Sequence, residues 1–143
     1  MSRSITVIAA GASFTGCDRR DADNTTGISS KKSASLRAAA AAGAHAVLVL
    51  NPFYYKGNMN HDELVRHYFD VADASPVPVL VYNMPGNTGL DMTSRMIIAM
   101  AEHPNIVGLK ESGGNVVKMG EVLGNVKPGF QVLAGGDELR ARL

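Results

Sequence analysis

A lysine that closes an apolar, β-branched run is a costly placement, and Ile106-Val107-Gly108-Leu109-Lys110-Glu111-Ser112 makes it. Burial disfavours an ammonium, and a neutral amine is a nucleophile for carbonyl carbon. The plainer reading of Lys110 is a side chain that snorkels from a strand end into solvent. Gly108, two residues earlier on the same strand face, is expected to leave space beside the amine. Tyr82 ends the preceding apolar run and Tyr54 follows the one before that. A strand-end tyrosine is often just an aromatic with its hydroxyl at the wet edge. Neighbouring parallel strands lie about 4.8 Å apart, however, so Tyr82 and Lys110 at equivalent ends can face one substrate. An amine would attack the ketone of a 2-oxo acid and lose water to give a protonated imine, an electron sink for making or breaking a carbon–carbon bond. The phenol would move the protons. The pairs Gly113-Gly114 and Gly135-Gly136 could bring backbone amides to a carboxylate, or serve simply as turns.

The elements that must position these groups follow from periodicity. Ser4 to Ala9, Ala46 to Leu50, Val77 to Tyr82, the lysine run and Phe130 to Ala134 are short, apolar and rich in β-branched residues, which predicts five strands. Between them, Ser33 to Ala42 is alanine-rich and stops at Gly43. Asn60 or His61 opens a helix with Leu64, Tyr68 and Val71 at helical spacing. Thr93 caps a helix whose Met96, Ile97 and Met100 face the core, and Val116 to Leu123 make a fourth. Val47, Val79, Val107 and Val132 are 32, 28 and 25 residues apart, the length of a strand plus a crossover helix, which predicts a parallel βα repeat. The step from Ile5 to Val47 is 42, and its excess falls in the patternless residues 11–32, read as an irregular or inserted segment. Five such strands suit either an open doubly wound sheet or part of a (β/α)8 barrel, which needs about 250 residues when whole.

With 45% apolar and 19% charged residues over 143 positions, the chain is expected to form a single globular domain, 1–143. A net charge of +1 with scattered basic residues offers nothing to nucleic acid or an anionic membrane, which leaves a small molecule as the expected partner. Cys17 is the only cysteine, so an internal disulfide and a cysteine metal cluster are excluded, as suits a reducing compartment such as the cytoplasm. His45, His61, His67 and His103 have no metal-ligand spacing and read as surface or helix-end residues. No metal or cofactor is expected.

Three stretches carry a family resemblance: Asn51-Pro-Phe-Tyr-Tyr-Lys-Gly57, Tyr82-Asn-Met-Pro-Gly-Asn-Thr-Gly89 and His103-Pro-Asn-Ile-Val-Gly-Leu-Lys-Glu-Ser112. From about Gly43 to Gly136 the chain resembles the dihydrodipicolinate synthase and N-acetylneuraminate lyase family of pyruvate-dependent class I aldolases. The resemblance implies an α/β fold, a fragment of a (β/α)8 TIM barrel with about five strands and four helices. It implies that Lys110 forms the Schiff base with pyruvate, that Tyr82 relays protons, and that Tyr54 reaches across a tight dimer interface of a tetramer built from dimers. The family's dihydrodipicolinate synthases usually carry an arginine where this chain has Asn87. Asn87-Thr88-Gly89, Ser112 and the run from Phe130 to Gly135 are closer to the 4-hydroxy-2-oxoglutarate aldolase branch, which makes Asn87, Thr88, Ser112 and Gly135 candidate substrate contacts. A mitochondrial location stays open for a longer form.

The departures are informative. The family's Gly-Thr-Thr-Gly-Glu motif belongs after an earlier strand than this chain contains, and Thr25-Thr26-Gly27 matches it only in letters. A partial gene product explains this, and open sheet edges would leave the isolated chain unstable and inactive. The other readings are a 4-hydroxy-tetrahydrodipicolinate synthase, an open anion-binding α/β domain without catalysis, and a piece that completes its sheet with another chain.

Overall fold

Every crossover returns the chain to the same edge of one growing sheet. The computed structural model describes residues 5–8, 30–53 and 60–135. In chain order these form β1 (Ile5–Ile8), α1 (Ser30–Ala41), β2 (Ala46–Leu50), α2 (His61–Ala74), β3 (Val79–Asn83), α3 (Pro85–Thr88), α4 (Ser94–Met100), β4 (Ile106–Glu111), α5 (Val116–Leu123) and β5 (Gln131–Ala134). The strand order is β1-β2-β3-β4-β5 and every pairing is parallel. A doubly wound sheet reverses its order at a switch point, whereas strictly consecutive parallel strands are the wall of a (β/α)8 barrel. The architecture is therefore part of that barrel.

Alternation divides each strand between two faces. Val47, Val49, Val79, Val81 and Leu109 enter the core that the sheet shares with Leu36 of α1, Leu64, Tyr68 and Val71 of α2, Ile97 and Met100 of α4 and Val122 of α5. Leu48, Leu50, Leu80, Tyr82 and Lys110, the residues of opposite parity, stay out of that cluster and make the inner wall. The helices are fixed at their starts by side-chain caps, Asn60 on the Glu63 amide (3.0 Å), Thr93 on Met96 (3.3 Å) and Asn115 on Lys118 (3.0 Å). Fully buried Tyr68 donates its hydroxyl to the Val49 carbonyl at 2.9 Å, which ties α2 to β2.

Several boundaries differ from the sequence reading for physical reasons. β3 begins at Val79, because Pro78 has no amide and contributes only its carbonyl, to Val47 at 2.9 Å. β3 and β4 each run one residue beyond Tyr82 and Lys110, to Asn83 and Glu111. α1 begins at Ser30, so residues 30–32 of the expected irregular segment are helical, and 11–29 lie outside the described residues. The loop after β3 holds the helical turn α3, opened by Pro85 and closed by Gly89 at φ 65°. Met96, Ile97 and Met100 pack inward as the spacing predicts. No helix among the described residues is long and apolar enough to cross a membrane.

His67 is not the surface histidine that the sequence suggested. Its Nε2 is buried with no hydrogen-bond partner among the described residues, and its ring stands edge-on to Tyr68 at 5.5 Å. Burial, and then the charge of Lys32, push its pKa down to about 4. Above pH 6.5 the imidazole is neutral folded or unfolded and costs nothing. Between 6.5 and about 4 the unfolded chain takes up a proton that the folded one refuses, so stability falls as the pH falls. Urea unfolding at pH 7 and pH 4 should show the wild type losing on the order of 3 kcal/mol through this group, and His67→Leu should lose correspondingly less. Equal losses in the two proteins would refute the assignment.

Candidate active site at the carboxyl ends of the strands

Register brings the strand-end candidates into one row. Leu50 stands opposite Tyr82, Tyr82 opposite Lys110 and Lys110 opposite Leu133. Lys110 and Tyr82 are both half-buried, and the Lys110 Nζ lies 4.6 Å from the centroid of the Tyr82 ring. The Tyr82 hydroxyl donates to the Met84 Sδ at 2.9 Å rather than to the amine. A thioether is a weak acceptor, so the hydroxyl hydrogen is easily turned to a better one. Two surface depressions, of about 230 and 280 Å³, lie at the amino end of β4 and beside α5, and Lys110 lines neither. Lys110 faces the inner wall instead. Among the described residues no group of three or more His, Cys, Asp or Glu side chains is placed to hold a metal ion.

One residue further along both strands, on the helix side, lies a cluster that the sequence reading missed. Glu111 is 1% exposed, and its two carboxylate oxygens accept from Asn83 Nδ2 at 3.1 and 2.9 Å. The carboxylate also accepts from the Gly113 amide at 2.6 Å and from Lys118 Nζ at 3.4 Å. Lys118, 7% exposed, pairs closely with Asp91. Asn83 completes the ring by donating to Asp91 at 2.7 Å and accepting from the Met92 amide at 3.1 Å. Burial alone would raise the Asp91 carboxyl, but hydrogen bonds from Lys118 and Asn83 and the charge of Lys118 outweigh it and hold the pKa below the usual range. Parity was the available signal: Glu111 shares the core-facing side of β4 with Leu109, and Lys118 shares that side of α5 with Val122, four residues on.

The remaining sequence candidates are placed as follows. Ser112 and Gly135 meet at the mouth: the Ser112 Oγ occupies the space that a Cβ on Gly135 would need. Asn87 is exposed on α3. Thr88 is buried at 3%, its hydroxyl within 3.0 Å of the Met84 carbonyl, 3.1 Å of the Leu90 carbonyl and 3.2 Å of the Leu90 amide, so it holds the loop together. Tyr54 lies outside the described residues. Two readings need correction. The Gly113 and Gly135 amides are not open to a ligand, because the Glu111 side chain and the Glu111 carbonyl (2.8 Å) already take them. Gly108 leaves no free space beside the lysine either, since the Leu80 side chain and the Gln131 backbone fill it.

Comparison with known proteins agrees with this arrangement. Residues 24–143 match the model of the dihydrodipicolinate synthetase family. A probable mitochondrial 4-hydroxy-2-oxoglutarate aldolase of Emericella nidulans is 47% identical over 98 residues, which cover 68% of this chain and 32% of that protein. A 4-hydroxy-tetrahydrodipicolinate synthase of an Exiguobacterium species is 35% identical over 115 residues, covering 80% and 38%. Among solved structures, a prophage protein of the dihydrodipicolinic acid synthase family from E. coli K12, in complex with pyruvate, superposes with a TM-score of 0.68 at 32% identity. That match covers 75% of this chain and 37% of the other. The chain thus spans about a third of the length of the curated relatives it matches.

Gly108 lies directly below Lys110 on the inner wall, and a Cβ there would stand 2.6 Å from the Gln131 carbonyl oxygen and 2.7 Å from Leu80 Cδ2. The carbonyl belongs to backbone and cannot turn aside, so β5 would have to move. Gly108→Ala should destabilise the fold by about 1–3 kcal/mol, read from the urea midpoint. An unchanged midpoint would mean that β4 and β5 are not packed at this distance.

Proposed function

The chain belongs to the dihydrodipicolinate synthetase family, whose members are lyases, and on that premise we propose that it carries the imine-forming half of a class I aldolase acting on 2-oxo acids. The observation that supports this most is the Lys110 amine set against the Tyr82 ring in one row of strand ends. The amine adds to the C2 ketone of the substrate, and the carbinolamine loses water to give a protonated imine. For 4-hydroxy-2-oxoglutarate, a base then takes the proton of the 4-hydroxyl, the C3–C4 bond breaks and its electron pair flows into the imine. Glyoxylate leaves and an enamine remains. Protonation at C3 and addition of water release pyruvate and restore the amine. Tyr82 would pass these protons, a role supported by its hydroxyl being held by a sulfur among the described residues.

Asn87 favours the aldolase over the lysine-pathway synthase. An exposed amide carries no charge to hold the carboxylate of a second substrate, the role that the family resemblance gives to an arginine there. Ser112 and Gly135 shape the mouth above Lys110 and are the contacts proposed for the distal end of the substrate. For full-length members of the family the same reading implies a tetramer built from two dimers, with Tyr54 of one subunit reaching its neighbour's site.

Although its open sheet edges count against the isolated chain, incubation with pyruvate and borohydride, followed by peptide mass spectrometry, should find a reduced adduct on Lys110 that is absent in Lys110→Arg and would show that this part of the barrel assembles the imine site. Arginine keeps the charge but cannot form an imine under these conditions. Tyr82→Phe should slow labelling by about 10²–10⁴-fold. A folded chain, verified by circular dichroism, that gives no adduct at Lys110 would overturn the proposal.

A further inference from the structure

The catalytic row is immediately followed by a locked one. Tyr82 and Lys110 pair on the inner face, and the next pair in the ladder, Asn83 and Glu111, faces the helices. Glu111 and Lys118 are the two buried charged side chains among the described residues. Burying such a pair is costly, and apolar residues of similar volume commonly stabilise a fold as well or better. Charge is therefore a poor choice for stability alone at this point. A defect in the β3–β4 ladder gives it a different use. Val79 pairs with Ile106 but Leu80 pairs with Gly108, so the register shifts by one residue near the start of the two strands. The alignment at their carboxyl ends is not inherited from their beginnings. A further one-residue slip would exchange the faces and put Leu109 or Glu111 opposite Tyr82.

We propose that the Asn83–Glu111–Lys118–Asp91 cluster is a positioning device that sets the register of the β3 and β4 ends and thereby holds the Lys110 amine against Tyr82. Asn83 reaches both oxygens of Glu111 across the two strands. The Gly113 amide closes the turn after β4 on the same carboxylate, and a side chain there would collide with Glu111 and Pro85. Lys118 brings in the first turn of α5, and Asp91 with the Met92 amide brings in the segment before α4. Five segments thus converge on one point next to the reactive lysine, and none of the four side chains needs to touch substrate. The inference rests on the reading of Lys110 as the imine-forming residue.

The decisive variant is Glu111→Leu/Lys118→Met, which exchanges the charged pair for apolar residues of similar size. Thermal unfolding should show it as stable as the wild type or more so, while the pyruvate–borohydride trapping rate at saturation falls about 10–100-fold with little change in the half-saturating pyruvate concentration. Lys118→Arg, which keeps the cation, should trap at close to the wild-type rate. Where the double variant does not melt cooperatively, Glu111→Gln replaces it and should show the same loss of trapping. Acetylation of Lys110 relative to exposed Lys127, by acetic anhydride without pyruvate, should rise several-fold in the variant as the amine leaves the Tyr82 ring. A stable variant that traps at the wild-type rate would make the cluster merely structural and overturn the proposal. Failure of the wild type to trap pyruvate would defeat the imine reading instead, and an unchanged acetylation ratio would then overturn the positioning claim independently.

Discussion

The Glu111 carboxylate lies at the convergence of β3, β4, the turn at Gly113, α5 and the segment entering α4. A carboxyl group at 1% exposure persists only if its polar atoms are satisfied, and here they are met by an amide side chain, a backbone amide and the Lys118 amine. The requirement propagates outward. Asn83 must end β3 at the right height, Gly113 must carry no side chain, and Lys118 must lie on the buried side of its helix. The first two of these demands fix backbone one residue beyond Tyr82 and three beyond Lys110, and the third fixes the helix that follows. The Tyr82–Lys110 pair on the inner wall is thus supported from the opposite face of the same two strands.

Alternation makes this division possible. A strand residue and its successor face opposite ways, so Lys110 and Glu111 can be neighbours in the chain and remain separated by the sheet. If both pointed inward, the carboxylate would be free to pair with the amine and draw it away from the Tyr82 ring. Placed behind the sheet, Glu111 is neutralised by Lys118 and leaves the inner wall to the amine and the phenol. Nearest-neighbour charges in the sequence can therefore serve separate functions, one structural and one chemical.

How much of this could be read from the sequence depends on the range of the interaction. Periodicity over 25 to 32 residues located β2 to β5 and their crossovers to within two residues, because a parallel strand buried between helices has to be continuously apolar. The Tyr82–Lys110 pairing followed from the same count. The consecutive strand order also excluded the open doubly wound sheet, a choice that periodicity alone leaves undecided. Less legible were features decided by contacts distant in sequence. Lys118 reads as a solvated helix lysine until Asp91, 27 positions earlier, is placed beside it. His67 reads as a surface residue until Lys32 and Tyr68 surround it. Glycine was misread for a related reason: at Gly108 and Gly113 a missing side chain marks a close approach by another segment, and a sequence shows the absence without showing what fills it.

The inner wall itself is unevenly closed. Leu48, Leu50 and Leu80 are buried on the β2 and β3 side, whereas Leu133, the neighbour of Lys110 on β5, is 43% exposed. Among the described residues β5 has a partner on one side, β4, so the exposure of Leu133 marks the edge of the described sheet. The β3 flank of Lys110 carries the Tyr82 ring and is backed by the buried contacts of Glu111 with Asn83 and Lys118, and on the β5 flank Ser112 meets Gly135.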